Sequence, residues 1–202
     1  VYDGFIEGRH HSIIAEKLEA IAQGKLKRLI VNMPPRHSKS EFASYLMPAW
    51  LVGRNPKLKI IQATMNTELA VRFGRKVRDL IADPIYAEIF PKTDLKQDSQ
   101  AAGRWETSQG GAYFAAHSEQ DALSTVAYDN TYEWYTSGPR QRLQPGGTII
   151  IVQTRWSKKD LTGRLVQNMA MDSMSDQWEV IEFPAILPSD KPLWPEFWQV
   201  DE

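Results

Sequence analysis

The sequence predicts an α/β fold in which a mostly parallel central sheet carries helices on both faces. Short apolar runs that are typical of buried strands alternate along the chain with longer stretches of helical periodicity. Parallel strands must be joined by crossover connections, and helices are the usual crossover. The chain has 202 residues, of which 42% are hydrophobic and 24% are charged, so it can form one packed α/β domain.

Periodicity and stop signals predict the elements of the first half of the chain. Apolar residues recur at helical spacing over residues 12–23, and Gly24 ends that helix. Pro56 and Pro84 follow two further helical stretches and stop them. The predicted order is a helix at 12–23, a strand at 27–32, a helix at 42–52, a strand at 58–63 and a helix at 67–81.

The second half of the sequence predicts a hairpin, further strands and two helices. Gln109-Gly110-Gly111 is a turn signal, and it predicts a hairpin whose strands lie at 105–107 and 112–115. Residues 121–142 are predicted to be mainly helical, and residues 161–169 to form another helix. The remaining strands are predicted at 148–153, which should be buried, and at 178–183, before a proline-rich extended segment.

The segment Asn32-Met33-Pro34-Pro35-Arg36-His37-Ser38-Lys39-Ser40 lies between the first predicted strand and the helix at 42–52. A loop that wraps before a helix presents successive backbone N–H groups and the positive end of the helix, which form a concave anion site. Lys39 adds a mobile charge for the β- and γ-phosphates, and the Ser40 hydroxyl can ligate Mg²⁺. This order of strand, loop, lysine, serine and helix predicts a site for a nucleoside triphosphate.

The loop departs from the standard phosphate-loop pattern, the Walker A motif G-x-x-x-x-G-K-[ST]. Met33 or Pro34 lies near the position of the first glycine, and Ser38 replaces the glycine before the lysine. A surface turn followed by a helix is the alternative interpretation, because Lys-Ser pairs are common. Pro35 is expected to fix the backbone at the entry of the loop.

Further short segments follow this loop in a defined order. The first half of the chain contains Gly8-Arg9-His10-His11, the run from Leu26 to Ser40, and Ile60-Ile61-Gln62-Ala63-Thr64. The second half contains Trp134-Tyr135-Thr136-Ser137, Arg140-Gln141-Arg142-Leu143, Pro145-Gly146-Gly147 and Gln153-Thr154-Arg155-Trp156. Together they resemble the ATPase domain of the large terminase subunit of tailed bacteriophages, over nearly the whole chain. Many members of that family have glycine where this chain has Ser38.

The resemblance implies a P-loop NTPase fold of the ASCE type and an ATP hydrolase that translocates double-stranded DNA into a procapsid. ATP and Mg²⁺ are the implied cofactors, and the implied partners are a portal protein, a small terminase subunit and further copies of this chain in a ring. The isolated chain is expected to be a monomer. The implied location is the host cytoplasm, transiently at the procapsid portal, and not the mature virion.

The family also implies a division of the chain. Residues 1–184 correspond to the motor domain, and residues 185–202 to a connector toward a nuclease domain that this chain does not include. We therefore expect no nuclease activity.

Residue roles follow from the same resemblance. Lys39 and Arg36 are expected to act on the transferring phosphoryl group, and Ser40 to ligate Mg²⁺. Arg140 and Arg142 both remain candidates for an arginine that acts on a neighbouring subunit. The nucleotide-binding residues are expected to be Pro35, Arg36, His37, Ser38, Lys39, Ser40 and Glu41. A polar filler of the loop is the alternative interpretation of His37. The adenine base is expected near Arg9, His10 and His11, just before the first helix.

Gln153, Thr154 and Arg155 resemble the family's coupling motif, in which a polar side chain senses the γ-phosphate. They follow a predicted parallel strand, and ligands bind at the carboxyl ends of such strands. A polar cap at the end of a strand is the alternative interpretation.

The carboxylates that hydrolysis requires are missing from the expected place. ATP hydrolysis by this architecture needs a strand that ends in a pair of acids, but no four-residue apolar run ends in Asp-Asp or Asp-Glu. The run Val126-Ala127-Tyr128-Asp129 comes nearest, and it lies in a helical pattern. We hypothesise that the printed chain omits a segment between Ala116 and His117, where the family has its acidic strand.

Composition and residue spacing bear on DNA binding, membrane insertion and metal binding. The net charge is −1, so DNA binding would need a local basic patch, and Arg72, Arg75, Lys76 and Arg78 supply a candidate on one helix. A solvated helix face is the alternative interpretation of those residues. The chain has no cysteine, no apolar run of membrane-spanning length, and no metal-ligand spacing among its four histidines.

Two other functions remain open. The chain can be a P-loop helicase or translocase outside any virion, which would not depend on a portal protein. It can also be a nucleotide-binding scaffold that has lost its acidic strand, in which case Lys39→Ala would leave the ATPase rate unchanged.

Overall fold

A computed structural model of the chain describes residues 4–64, 66–117 and 124–198. The chain divides into two compact units. The first unit consists of Val1–Lys39 and Leu143–Glu202, and the second unit is Ser40–Arg142. The expected boundary between residues 184 and 185 stays a prediction.

The described residues form helices and strands in alternation. In chain order, the elements are α1 (Arg9–Ala22), β1 (Arg28–Asn32), a π-helix (Glu41–Leu46), α2 (Met47–Arg54), β2 (Lys59–Thr64), α3 (Thr67–Ile81), α4 (Pro84–Ile89), β3 (Leu95–Ala101), β4 (Arg104–Thr107), β5 (Ala112–His117), α5 (Thr125–Ser137), a 3-10 helix (Pro139–Arg142), β6 (Ile149–Gln153), α6 (Leu161–Met171) and β7 (Glu179–Glu182).

The first unit contains a parallel sheet of three strands in the order β6-β1-β7. Its central strand β1 is apolar because both of its neighbours are parallel strands, and Leu29, Ile30 and Val31 are almost fully buried. All three strands point the same way, so their carboxyl ends lie at one edge of the sheet. At that edge Asn32 is in register with Gln153 on one side and with Glu182 on the other.

The second unit contains a mixed sheet in the order β2-β5-β4-β3. Strands β2 and β5 are parallel, whereas β4 is antiparallel to both of its neighbours. Trp105 stacks on Tyr113 with ring centroids 4.9 Å apart, and its indole Nε1 donates to the Gly74 carbonyl of α3 at 3.1 Å. A side chain at Gly74 would collide with the Ala102 carbonyl, so this close approach of α3 requires glycine.

The prediction of an α/β chain is confirmed, but the strands of the described ranges form two sheets and not one central sheet. Periodicity identifies strands without identifying which strands pair, so this division was not visible in the sequence. The strand predicted at 148–153 is β6, which begins one residue later and ends at the predicted residue. It is half-buried because it lies at an edge of its sheet.

Several element boundaries also differ from the predictions. Helix α1 begins at Arg9, three residues before the predicted start, and the helix predicted at 42–52 is a π-helix followed by α2. Helix α4 and strand β3 were not predicted, whereas the hairpin of β4 and β5 is confirmed, with Gly110 at φ +91° in its turn.

The helix predicted at 121–142 is shorter in the structure. Helix α5 covers Thr125–Ser137, and a 3-10 helix follows at Pro139–Arg142, while residues 118–123 lie outside the described ranges. Ala116 and His117 are consecutive residues of β5 and are in register with Ala63 and Thr64. The hypothesis of an omitted segment between them stays a prediction.

Across the described ranges, every helix is too short or too polar to cross a lipid bilayer.

Candidate functional site

The loop of residues 33–39 leaves the carboxyl end of β1 in the first unit. Its first residue is fixed to the neighbouring strand, because the Met33 N–H donates to the Gln153 carbonyl at 3.0 Å. The Met33 carbonyl in turn accepts from the Thr154 hydroxyl at 3.1 Å. These two bonds hold the start of the loop at the edge where the carboxyl ends of β6, β1 and β7 lie.

The backbone of the loop adopts the left-handed region at two positions. Arg36 has φ +59° and Ser38 has φ +64°, and only one other described residue that is not glycine has a positive φ. Left-handed residues alternating with other conformations curl a chain and turn successive N–H groups toward one side, which is how backbone nests bind anions. The residue before the lysine therefore has the conformation that glycine adopts without strain, although it is a serine here.

His37 fastens the middle of the loop. Its ring Nδ1 lies 2.7 Å from the Pro35 carbonyl, so Nδ1 carries the proton and donates. The ring is buried, and its centroid lies 6.2 Å from the ring centroids of both Trp194 and Trp198. His37 was predicted among the nucleotide-binding residues, and in this structure its imidazole supports the loop from within.

Lys39 ends the first unit, and its amine turns back onto the loop. Nζ donates to the Pro34 carbonyl at 3.2 Å, and it forms no ion pair with a described residue. Burial lowers the pKa of Lys39, because a half-buried ammonium loses solvation without gaining a counter-charge. The loop therefore holds a cation that an incoming anion would stabilise.

The other predicted loop residues differ in their surroundings. Arg36 is exposed and has no hydrogen-bond or ion-pair partner among the described residues. Ser40 begins the second unit, is exposed and has helical backbone angles, with φ −73° and ψ −32°. Glu41 forms an ion pair with Lys76 at 2.9 Å, also in the second unit. Their predicted roles toward nucleotide and Mg²⁺ stay predictions.

The predicted coupling residues lie at the carboxyl edge of the first sheet. Gln153 donates from Nε2 to the Thr162 hydroxyl at 2.6 Å. Arg155 lies between two carboxylates, with Nη1 3.2 Å from Glu182 Oε1 and Nε 3.3 Å from Asp160 Oδ2. Thr154 contacts the loop itself through Met33, so all three predicted residues belong to one polar edge.

Four residues of this edge were not predicted: Asn32, Asp160, Thr162 and Glu182. Asn32 donates from Nδ2 to Glu182 Oε1 at 3.1 Å, and the fully buried Thr162 hydroxyl lies 3.4 Å from Asn32 Oδ1. Asp160 caps α6 by accepting from the Gly163 N–H at 2.9 Å. Asn32 and Glu182 are polar residues at the ends of short apolar runs, but the pairing of those ends depends on strand register.

The candidate arginines and the basic patch lie in the second unit. Arg140 and Arg142 belong to the 3-10 helix, and Arg142 is exposed. On α3, Arg72 and Arg75 are exposed, whereas Lys76 pairs with Glu41 and Arg78 pairs with Asp79 at 2.6 Å. Two of the four predicted basic residues are thus engaged in ion pairs.

The first turn of α1 contains two buried histidines. The prediction that Arg9, His10 and His11 precede the first helix is wrong, because α1 begins at Arg9. The ring centroids of His10 and His11 are 3.8 Å apart. Both also contact Trp194, with ring centroids 5.3 Å and 4.7 Å away. Burial lowers the pKa of His10 to about 4, and the nearby His11 and His37 add to this effect. An adenine contact at these residues stays a prediction, and only Arg9 among the three is exposed.

No cluster of three or more His, Asp or Glu side chains within the described ranges could hold a metal ion. Mg²⁺ bound with a nucleotide takes most of its ligands from phosphate oxygens and water, so a cluster of protein ligands is not required for it.

Comparison of the chain with protein-family models, with curated proteins and with solved structures gives no match.

Proposed function

We propose that the loop of residues 33–39 binds the triphosphate of ATP. The observation that carries this proposal is the combination of a loop curled by left-handed residues at Arg36 and Ser38 with a half-buried Lys39 amine that has no counter-charge. Polyphosphate would accept hydrogen bonds from the curled backbone and would pair with the amine. Arg36, which has no described partner, would add a second positive charge.

We further propose that this binding powers a DNA-packaging motor. The P-loop NTPase fold of the ASCE type, the hydrolysis of ATP with Mg²⁺ at Ser40, and the movement of double-stranded DNA into a procapsid belong to this proposal. The proposed partners are a portal protein, a small terminase subunit and further copies of this chain in a ring. The proposal of a packaging motor draws its support from the resemblance in sequence and from the polar edge at Gln153, Thr154 and Arg155.

A second candidate is a nucleotide-binding scaffold that does not hydrolyse ATP. None of the described strands ends in a pair of acidic residues, which is the arrangement that hydrolysis normally uses. This candidate shares the binding loop with the first, so hydrolysis and not binding separates the two.

Titration of the full chain with a fluorescent ATP analogue and Mg²⁺ tests the proposal. We expect saturable binding that unlabelled ATP displaces, and we expect Lys39→Ala to weaken it by at least about tenfold, since a charge-assisted contact to phosphate is lost. Lys25→Ala is the matched control, because Lys25 is an exposed lysine of the same unit. It lies just before the amino end of β1, whereas the loop follows the carboxyl end.

Two results would overturn the proposal. One is an absence of saturable binding to the wild-type chain. The other is an equal loss of affinity in the Lys39 and Lys25 variants, which would indicate non-specific attraction of a polyanion. A steady-state ATPase assay then decides between motor and scaffold, and dependence of the rate on a portal protein separates a packaging motor from another translocase.

A further inference from the structure

We propose that residues 193–198, here called the tryptophan segment, set the affinity of the loop for nucleotide by holding His37 in place, an inference that rests on the function proposed above. Of residues 34–39, all of which the structure describes, only His37 is buried, with 7% of its surface exposed. Its ring centroid lies 6.2 Å from that of Trp194 and 6.2 Å from that of Trp198. His37 is therefore the side chain through which the middle of the loop contacts the interior of the first unit.

The curled shape of the loop depends on contacts beyond its own backbone. Arg36 and Ser38, the residues on either side of His37, both have left-handed backbone angles. This conformation is unfavourable for residues other than glycine, so it persists only where surrounding contacts stabilise it. The buried ring of His37 lies between the two left-handed residues in sequence and supplies such contacts.

Two side chains of the loop bond to consecutive carbonyls. The His37 ring Nδ1 donates to the Pro35 carbonyl at 2.7 Å, and Lys39 Nζ donates to the Pro34 carbonyl at 3.2 Å. In the proposed complex a phosphate oxygen would take over the Lys39 amine, since a charged acceptor is a stronger partner than a carbonyl. The bond from His37 does not involve phosphate and would still hold the curl. His37 is therefore a positioning residue of the nucleotide-bound loop.

Trp194 is itself fixed in the interior of the unit. It is 5% exposed, and its ring centroid lies 4.7 Å from that of His11 and 5.3 Å from that of His10, both in α1. A side chain at Gly8, just before α1, would collide with the indole at 2.7 Å from Trp194 Cδ1, so the backbone approaches this ring closely. Trp194 thus gives His37 a neighbour that is packed against a helix.

Trp198 lies at the surface end of the same segment. Its N–H donates to the Trp194 carbonyl at 2.9 Å, and the preceding residue Phe197 stacks on Trp194 with ring centroids 4.5 Å apart. Residues 195–197 are exposed and Trp198 is half-buried. A substitution at Trp198 therefore alters the surroundings of His37 without removing a residue of the buried core.

Loosening the contact between the tryptophan segment and His37 should weaken nucleotide binding, because the curled loop is the form that binds phosphate. The apparent Kd equals the intrinsic Kd divided by the fraction of molecules whose loop is curled. A Kd that is fivefold higher would mean that this fraction falls to about one fifth. The tryptophan segment thus acts on affinity through the shape of the loop and without a contact to phosphate.

The test measures the Kd of the fluorescent ATP analogue with Mg²⁺ for variants of the full chain at position 198. We expect Trp198→Ala to raise the Kd at least about fivefold, and Trp198→Phe, which keeps an aromatic ring, to stay within about twofold of wild type. Trp198 Nε1 has no hydrogen-bond partner among the described residues, so phenylalanine removes no hydrogen bond. Ile186→Ala is the control, because Ile186 is an exposed apolar residue of the same unit outside the tryptophan segment, and it should bind ATP as the wild type does.

A double-mutant cycle shows whether the effect passes through His37. His37→Asn keeps a donor for the Pro35 carbonyl but removes the ring that lies beside the tryptophans. We expect this variant to raise the Kd at least about fivefold, and Trp198→Ala to change it by no more than about twofold in the His37→Asn chain. A purely structural role of Trp198 would instead give two effects that add.

Hydrogen exchange examines the loop in the absence of nucleotide. The amides of residues 36–39 should exchange at least about fivefold faster in Trp198→Ala than in the wild type, and at the wild-type rate in Ile186→Ala. If Trp198→Ala does not fold, Trp198→Leu, which keeps apolar volume and lacks an aromatic ring, replaces it in all three measurements.

The outcomes separate this inference from the proposed function. A wild-type chain that binds ATP, with a Trp198→Ala variant whose Kd stays within about twofold, overturns the role of the tryptophan segment and leaves the nucleotide site intact. Unchanged exchange of the loop in Trp198→Ala, a Trp198→Phe variant as weak as Trp198→Ala, or additive effects in the cycle overturn it as well. A wild-type chain without saturable ATP binding overturns the proposed function, and with it the control of affinity, whatever the exchange rates are.

Discussion

The Lys39 amine lies 3.2 Å from the Pro34 carbonyl and donates a hydrogen bond to it, so the cation of the loop is held by the loop's own backbone. A carbonyl carries only a partial negative charge, and the pKa of Lys39 is lowered by burial in spite of this contact. A phosphate oxygen would be a stronger partner than the carbonyl, since both groups would then be charged.

We predict that Lys39→Met changes stability little but abolishes stabilisation by ATP. The substitution removes a half-buried charge and keeps most of the apolar stem, so the free energy of unfolding should change by no more than about 1 kcal/mol. At 100 times its Kd, ATP should stabilise the wild-type chain by about 2.7 kcal/mol, and the variant by almost nothing. Thermal denaturation with and without ATP and Mg²⁺ measures both effects.

Lys25→Met is the control for this experiment and should keep the full response to ATP. A normal response of Lys39→Met would contradict the proposed role of the amine.

We predict that Ser38→Gly raises the free energy of unfolding by about 1 kcal/mol, because Ser38 has φ +64° and glycine adopts that conformation without a side-chain clash. Ser40→Gly should have the opposite effect and cost about 0.5 kcal/mol, since Ser40 has helical angles with φ −73°. Urea denaturation in the absence of nucleotide measures both changes. Equal destabilisation by the two glycines would mean that position 38 carries no backbone strain.

The loop was predictable because its signals are local. A short apolar strand, a run with two prolines, and Lys39 followed by Ser40 lie within a few residues of one another. The hairpin of β4 and β5 was predictable for the same reason, as Gln109-Gly110-Gly111 marks its turn. Strand β3 was not, because its sequence Leu-Lys-Gln-Asp-Ser-Gln-Ala has no apolar alternation and most of it is exposed.

The polar edge was only partly predictable, because its residues come together through strand register. Gln153, Thr154 and Arg155 were identified by their position after an apolar run. Glu182 and Asn32 are 150 positions apart in sequence, and their contact exists because β7 pairs with β1. No local pattern indicates that pairing, so the contact between Glu182 and Asn32 could be found only from the structure.

We predict that Thr162→Val costs about 1–3 kcal/mol of stability, although the two side chains have nearly the same shape. The fully buried Thr162 hydroxyl accepts from Gln153 Nε2 at 2.6 Å, and valine would leave that amide without its partner. Thr162→Ser keeps the hydroxyl and loses one methyl group, so it should cost only about 1 kcal/mol. Urea denaturation of the three chains checks this order, and a serine variant less stable than the valine variant would contradict it.

We predict that stability falls as the pH is lowered from 6.5 toward 4, and that His10 is a main cause. Burial lowers the pKa of His10 from 6.5 to about 4, with a further contribution from the charges of His11 and His37. Between these two values the unfolded chain takes up a proton at His10 that the native chain excludes. The contribution of His10 to the free energy of unfolding is therefore fully present above pH 6.5 and falls as the pH is lowered toward 4. The loss from His10 alone can reach about 3 kcal/mol.

His10→Phe should weaken this dependence. Neither ring nitrogen of His10 has a hydrogen-bond partner among the described residues, so the substitution removes no hydrogen bond. The phenylalanine side chain cannot be protonated. Part of the dependence should remain, because burial also lowers the pKa of His11. Urea denaturation of the wild type and the variant at both ends of the pH range measures the difference. An identical loss of stability in the two chains would show that the proton enters elsewhere.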